Sequence, residues 1–571
     1  MAWPSGHLPA LMFVALALVL LSGVPVVFGL AACGLVFAAL GIQLGVMPAA
    51  LLQALPLRLF GIMTNELLLA IPFFTLMGLV LDRCGLAQDL LETVALVFGP
   101  LRGGLAFAVV LVGALLGAST GVIAASVISM GLFSLPLMLR YGYDPRVATG
   151  VIAASGSLTQ IVPPSLVLIV MADQLNRSVG DLYAAALVPA AMIIGGYLLL
   201  VALIAWLRPA ALPALPPHAH AAREPGGASG HRSLFVLIAA GALAAWVFMQ
   251  SYPDLLMRIG RGVRPLGADE RAIVALAATV FSAYLMALAD HALGLRWLSL
   301  LARRVTFVLM PPLFLIFLVL GTIYLGLATP TEGGALGALG ALAMAAARRR
   351  LHAGPLVEAA LTAVKLSCFV VFILIGSTVF THTFNSLDGS IWVAQWFKSL
   401  PGGATGMLVI VTALVFVLGF LLDFFEIAFV LVPILAPVVE AFGIDLIWFG
   451  VLLCVNLQTS FMTPPFGYAL FFLRGVAPRE DSIDRESGRI VKGVSTDDIV
   501  VGALPFVAVP VLVMAALIAF PQLVLWDDGR ASRLPDAAVL RILETGGSAR
   551  PGAAAKPDPG KLLDELLRRE R

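Results

Sequence analysis

Charge is what this sequence has least of. Only 12% of its 571 residues are Asp, Glu, Lys or Arg while 60% are hydrophobic, against about 25% charged in soluble domains. A chain so poor in polar groups has no means of covering a water-facing surface, which excludes a soluble fold and leaves a polytopic membrane protein. The net charge is +2, so nothing invites a nucleic acid or an acidic partner. The four cysteines, Cys33, Cys84, Cys368 and Cys454, share no metal-like spacing. Histidine is nearly absent from the apolar runs: His382 lies inside one, and the other six sit in linkers or near ends. With no His-Glu-x-x-His and no phosphate-binding Gly-x-x-x-x-Gly-Lys-Ser/Thr, zinc hydrolysis and ATP-driven pumping lose their machinery. A serine in Gly117–Gly121 has no plausible histidine partner except His382, so an intramembrane enzyme is disfavoured too.

What is present is apolar sequence in spans. Runs near 9–22, 25–41, 67–81, 105–139, 147–172, 182–206, 234–249, 272–289, 306–327, 333–347, 366–384, 406–437, 447–473 and 501–525 predict about a dozen crossings at ~20 residues each. The first has no Lys or Arg before it and no clear cleavage site, and reads as a membrane helix rather than a cleaved signal.

Two stretches repeat. Pro136, Gly142, Asp144, Pro163 and Pro164 recur as Pro437, Gly443, Asp445, Pro464 and Pro465, and each difference (437−136, 443−142, 445−144, 464−163, 465−164) is 301. Leu101–Gly104 parallels Leu400–Gly403 at an offset of 299, and Gly78 falls opposite Gly376 at 298. Each copy sets a Pro-Pro pair among small hydroxyl and amide residues inside apolar sequence. Proline lacks an amide hydrogen and clashes with the turn before it, so each pair breaks a helix. Such a break is tolerated at membrane depth only where protein or a water-filled cavity satisfies the freed backbone, and broken helices at matching positions of two halves point to a transport site.

Runs 105–139 and 406–437 are too long for one crossing. Each reads as a re-entrant hairpin, with tips at Gly117–Gly121 and Gly419–Asp423. Arg102, Arg140 and Arg146 flank the first, whereas no Lys or Arg lies between Lys398 and Arg474. By the positive-inside rule the first hairpin opens to the cytoplasm and the second to the opposite face, so the repeats are inverted. Arg348–Arg350 marks another cytoplasmic end, and Lys398 alone argues against the scheme. The expected organisation is a first repeat over 1–207, a linker and inserted segment with two extra helices over 208–305, a second repeat over 306–526 and a polar tail over 527–571, where Asp558–Arg571 could form a short helix.

Hydroxyl, amide and freed carbonyl oxygens suit a small alkali cation, and half-helix amino ends suit a carboxylate. The first-half cation candidates are Ser119, Thr120, Ser155, Ser157, Thr159 and the break at Pro163. In the second half they are Gly419, Asp423, Asn456, Thr459, Thr463 and the break at Pro464. Gly121, Gln160, Ser165 and Gln458 fall in the substrate's vicinity. Against each single residue stands the reading that small polar residues in membrane helices serve packing. Asp423 and Glu426 are more pointed, because buried carboxylates are costly in a bilayer and face an ion, a proton path or water. Glu332, in Thr329-Pro330-Thr331-Glu332, reads as a first-turn acid at a helix start. His382 reads as packed and hydrogen-bonded.

These motifs together resemble the large membrane subunit of a tripartite ATP-independent periplasmic (TRAP) transporter. The residues that carry the resemblance are Gly117–Gly121, Gly142–Pro145 with Gly156–Ser165, Thr329–Glu332, and Val455–Leu457 leading to Thr463–Pro465, and it covers nearly all of 9–207 and 306–525. It implies an all-α, inverted-repeat, elevator-type importer of small organic acids with two re-entrant hairpins and two broken helices, in the bacterial inner membrane. It further implies Na+ as coupling ion with no other cofactor, a separate small membrane subunit of about four helices and a periplasmic solute-binding protein. The tip Gly117–Gly121 with the break Ser157–Ser165 would frame one sodium site, Gly419–Asp423 with Asn456–Pro465 the other, and the substrate would lie between them. The insertion at 208–300, the polar loop Pro478–Ser495 and the long tail depart from the family pattern. The insertion puts the usual docking of the small subunit in doubt. A stand-alone sodium/anion symporter of elevator type is the competing reading. A channel fits two occluding hairpins less well.

Overall fold

The structure, a computed structural model, describes residues 7–215, 230–258, 268–294, 297–399, 401–420, 422–464, 467–483 and 490–525. The tail, with its expected helix at Asp558–Arg571, lies outside the described residues, as do Pro465 and the side chains of Ser119 and Thr120. A bilayer forces backbone groups to pair within a segment, and the described chain is accordingly helical apart from a two-residue strand pair, β1 (Ser482–Ile483) and β2 (Ile490–Val491).

The first half runs α1 (Leu8–Leu21), α2 (Val26–Gln43), α3 (Leu55–Met63), α4 (Ala70–Arg83), α5 (Leu86–Phe98), α6 (Gly104–Thr120), α7 (Ile123–Arg140), α8 (Pro145–Ser157), α9 (Leu166–Gln174) and α10 (Val179–Leu207). The inserted pair is α11 (His231–Arg258) and α12 (Ala268–Leu293). The second half runs α13 (Leu300–Tyr324), α14 (Pro330–Ala347), α15 (Ala353–Ser386), α16 (Gly389–Lys398), α17 (Gly403–Leu418), α18 (Phe424–Ala441), α19 (Leu446–Phe461), α20 (Tyr468–Val476) and α21 (Thr496–Ala519). Among the described residues nine helices are long and apolar enough to cross a membrane, or up to eleven if each of two bent pairs is one span. Both long runs divide where expected, α6 from α7 at Gly121–Val122 and α17 from α18 at Gly419–Asp423.

The spacing of 301 has a structural cause. In each copy a glycine in the left-handed region, Gly142 (φ +82) or Gly443 (φ +71), turns the chain out of a helix. Two residues later an aspartate caps the next helix, Asp144 accepting from Arg146 N at 2.8 Å and Asp445 from Ile447 N at 2.8 Å. Pro136 and Pro437 occupy the same place inside α7 and α18. The copies are also antiparallel to each other. α8 starts beside the amino end of α21, with Arg146 Nε 3.1 Å from Asp498 Oδ1, whereas α19 starts beside its carboxyl end, with Trp448 Nε1 donating to Leu517 O at 3.1 Å. Packing is reciprocal: α7 lies on α20 of the other copy, and α18 lies on α9.

These broken helices sit at the centre, where every residue of Ala148–Ser157, Leu166–Ala172 and Phe449–Phe461 is buried. By contrast α10 to α12 expose Trp206, Phe235, Trp246 and Leu285 on the outside, as lipid-facing helices do. The insertion packs on α13 and meets α5 through His231 Nε2, 3.0 Å from Val97 O. Arg348 and Arg350 both reach Asp89 of α5 at 2.8 Å, Arg304 reaches Glu92 at 3.1 Å and Arg83 pairs with Glu358. Leu215 N donates to Gly99 O, just past α5, and Ala211 O accepts from Asp144 N, so this basic face is also the one where α8 begins.

Four helices depart from the hydropathy pattern. α5 buries one apolar face and leaves Gln88, Asp89 and Glu92 along the other, α16 buries Val393 and Phe397 over ten residues, and α3 buries only Leu55 while exposing Leu57, Phe60 and Met63, so none of the three forms a long continuous run. α15 begins at Ala353, well before the run at 366, because Glu358 and Lys365 interrupt hydropathy while being good helix formers.

Candidate functional site

In the first copy α8 ends at Ser157, a tight turn holds Leu158–Gln160, and the chain is then non-helical to Ser165. Ser165 bridges the gap: its hydroxyl donates to Thr159 O at 2.8 Å and accepts from Val167 N at 3.2 Å, capping α9. Its carbonyl accepts from the Tyr183 hydroxyl at 3.5 Å. Pro163 and Pro164 lie within this gap, joined by a cis peptide bond. In the second copy α19 ends at Phe461, Thr463 Oγ1 donates to Thr459 O at 2.8 Å, and Gly467 N donates to Thr463 O at 3.1 Å. Pro464 falls in this gap.

Each tip rests against its break. A Cβ on Gly113, Gly117 or Gly121 would lie 2.5 Å from Ser155 Cβ, 3.1 Å from Thr159 N and 3.0 Å from Leu166 Cβ respectively. Glycines every four residues thus let α6 lie backbone-close along the break. A Cβ on Gly419 would come 2.2 Å from Ser460 Oγ, and Asn456 Nδ2 donates to Thr412 O of α17 at 2.8 Å. Because Gly121 touches Leu166, the amino ends of α7 and α9 come together, beside the fully buried Gln160.

The expected residues divide into those whose polar atoms are committed and those left open. Ser155 Oγ donates to Val151 O at 2.6 Å, Thr159 Oγ1 to Gly156 O at 3.2 Å and its second-copy counterpart region shows the same habit, Thr459 Oγ1 donating to Val455 O at 3.0 Å. A hydroxyl that donates its proton to a helix carbonyl keeps lone pairs for another ligand. Ser157 Oγ donates to Ala154 O at 2.8 Å and accepts from Gln458 Nε2 at 3.2 Å. Asp423 accepts from Glu426 N at 2.9 Å while Glu426 accepts from Asp423 N at 2.9 Å, a capping box at the start of α18. Three buried amides keep free oxygens: neither Oε1 nor Nε2 of Gln160, nor Asn456 Oδ1, nor Gln458 Oε1, has a hydrogen-bond partner. Leaving such a group unpaired costs about 1–3 kcal/mol, which a cation, a substrate or water would offset. These oxygen donors fit Na+ chemically, being hard and mostly neutral.

Glu332 and His382 take structural roles. Glu332 forms a capping box with Thr329 at the start of α14, and His382 Nε2 lies 2.8 Å from Leu51 O. Sequence reasoning missed Thr412, Tyr183, Tyr197 and Met462. The glycine spacing at 113, 117 and 121 was visible, but nothing in sequence ties Tyr197 or Thr412 to the breaks. On the face away from the basic cluster, a cleft of about 440 Å³ opens between the α9–α10 and α13–α14 loops, lined by Asp173, Asn176, Arg177 and Pro330.

Residues 13–523 match the family described as "Tripartite ATP-independent periplasmic transporter, DctM component". The chain belongs to this family. It is 26% identical over 425 residues to the C4-dicarboxylate TRAP transporter large permease protein DctM of Pseudomonas aeruginosa, covering 74% of this chain and 81% of that one. It is likewise 26% identical over 462 residues to the isethionate TRAP transporter permease protein DctMQ of Oleidesulfovibrio alaskensis, covering 81% of this chain and 59% of that longer one. In fold it is similar to the Alcanivorax borkumensis YdaH transporter, with a TM-score of 0.50, 14% identity, and coverage of 90% of this chain and 97% of that one. This TRAP large permease is therefore a multi-pass membrane protein, and the curated relatives described here are named transport proteins rather than enzymes.

Proposed function

We propose that this TRAP permease imports a small organic acid across the bacterial inner membrane, driven by Na+ and moving its central helices as an elevator. The observation that carries this is the pairing of tip with break in both antiparallel copies, around buried amide oxygens with no protein partner. Ser155, Thr159 and the carbonyls of the Pro163 break, with Ser119 and Thr120 at the tip, hold one cation. Gly419, Asn456, Thr459, Thr463 and the Pro464 break hold the other, with Asp423 setting the local charge. The joined amino ends of α7 and α9, next to Gly121, Gln160 and Ser165, favour a carboxylate by their dipoles.

Relatives named for C4-dicarboxylates and isethionate support an organic acid as cargo. A small membrane subunit of about four helices and a periplasmic solute-binding protein complete the system, and the fused name DctMQ of one relative supports the first of these. The basic face around α5 is cytoplasmic, so the 440 Å³ cleft opens to the periplasm.

The test is uptake of labelled organic acids into proteoliposomes holding the chain with its small subunit, with and without a sodium gradient and the binding protein. Uptake that requires both is expected. Uptake indifferent to the binding protein would replace this reading with a stand-alone symporter.

A further inference from the structure

Ser157 and Gln458 stand at the repeat offset, since 458−157 = 301. They are each other's equivalents in the two copies, and they touch: Gln458 Nε2 donates to Ser157 Oγ at 3.2 Å. Under an approximate two-fold relation, only a residue lying on the axis can contact its own equivalent. The last turns of α8 and α19, each just before its break, therefore meet on that axis.

Two further groups close the contact. Gln458 Nε2 also donates to the Tyr197 hydroxyl of α10 at 3.2 Å. Met462, the first residue past α19, places its sulfur 3.0 Å from Ser157 Oγ and 3.5 Å from the Tyr197 hydroxyl. All four side chains are fully buried. A residue of the second break is thus held by the last helical turn of the first copy. Any shift of one break on taking up an ion displaces Met462 or Ser157, and with it the other break.

We propose that Gln458, Tyr197 and Met462 are positioning residues that couple the two breaks, so that a cation bound in one copy raises affinity in the other. This rests on the sodium reading above. Buried polar contacts of this kind have discrete arrangements rather than continuous play, which lets a local shift bias a distant site. The amide of Gln458 is suited to the task because its two N–H groups reach two different helices at once, α8 and α10. Leucine fills the same space and makes neither bond.

The experiment follows the chain together with its small subunit in nanodiscs, reading thermal stability against sodium concentration, and in proteoliposomes, reading uptake against sodium. Wild-type protein is expected to give sigmoid sodium curves. Gln458→Leu is expected to lower the Hill coefficient to near 1 and to raise the half-saturating sodium about fivefold or more. Tyr197→Phe, which deletes one hydroxyl, should do the same in part. The exchange Ser157→Gln with Gln458→Ser rebuilds the Ser–Gln contact across the axis and is expected to recover sigmoidicity beyond either single change, which a merely structural role would not produce. Sodium-dependent wild-type curves with unchanged Hill coefficients in folded Gln458→Leu and Tyr197→Phe would overturn the coupling alone. Wild-type curves indifferent to sodium would overturn the sodium reading and the coupling with it.

Discussion

The crossing of α8 with α21 offers a direct test of the packing on which the central helices depend. Gly150 and Gly502 face one another there. A Cβ on Gly502 would lie 2.0 Å from Arg146 O, and one on Gly150 would lie 2.1 Å from Gly502 O. A carbon–oxygen contact takes about 3.3 Å or more, so Gly502→Ala falls short by over 1 Å against backbone, which has no rotamer to yield. The helices must part by roughly that amount, stretching the bonds from Arg146 Nε and Thr149 Oγ1 to Asp498, which span the same crossing at 3.1 and 3.2 Å. Overpacking costs about 1–3 kcal/mol, here toward the upper end, which for a chain of this length corresponds to a fall of roughly 2–3 °C in the melting temperature of the detergent-solubilised protein. The matched control is Gly195→Ala in α10, where an added Cβ meets nothing within 4 Å. There the gain of alanine over glycine in a helix, about 0.5–1 kcal/mol, leaves the melt unchanged or slightly raised. Equal melting of Gly502→Ala and Gly195→Ala would refute the close crossing.

Other substitutions probe the site and its supports. Ser165→Ala removes both the cap of α9 and the bond to Thr159 O; it is expected to cost about 1 kcal/mol of stability and at least tenfold in uptake, with Ser165→Thr retaining most of each. Asp423→Asn keeps the capping acceptor of α18 and is expected to melt like wild type while requiring more sodium for uptake; equal sodium dependence would confine Asp423 to capping. Tyr143→Phe leaves the buried Leu105 amide, now 3.2 Å from the Tyr143 hydroxyl, without its acceptor, and a loss of about 1–3 kcal/mol in the melt is expected. Thr329→Ala opens the capping box of α14 and should destabilise by about 1 kcal/mol, with sodium-dependent uptake at wild-type level.

Much of the architecture was legible because membranes narrow the choices. With few charges to spare, long apolar runs had to be helices, and the Pro-Pro pairs of the two repeats marked where two of them break, although Pro311-Pro312 lies inside the unbroken α13. The identities at an offset of 301 marked equivalent places because they perform local work: Gly142 and Gly443 turn the chain, Asp144 and Asp445 cap the helix that follows, and the prolines interrupt it. Local chemistry of this kind is written in a few neighbouring residues. α5 and α16 were invisible for the opposite reason, since both are short and interrupted by polar residues, and only burial against other helices shows which side faces inward.

The candidate site shows the same division. That hydroxyl and amide residues flank each break was in the sequence, and so was the glycine spacing that lets α6 approach. Which atoms remain open was not. Ser157 and Gln458 were indistinguishable by composition from Ser155 and Asn456, yet the fold turns the Gln458 amide nitrogen to Ser157 of the other copy and that of Asn456 to Thr412 O of its own, leaving the oxygen of each amide without a partner. Tyr197 and Met462 joined the centre only through contacts across 261 and 305 residues of chain. Sequence by itself determined the long apolar helices, the two breaks and the repetition at an offset of 301, because those follow from local backbone chemistry in a bilayer. Only the tertiary structure decided which polar atoms face one another and which are left to bind, because that depends on how helices far apart in sequence are brought side by side.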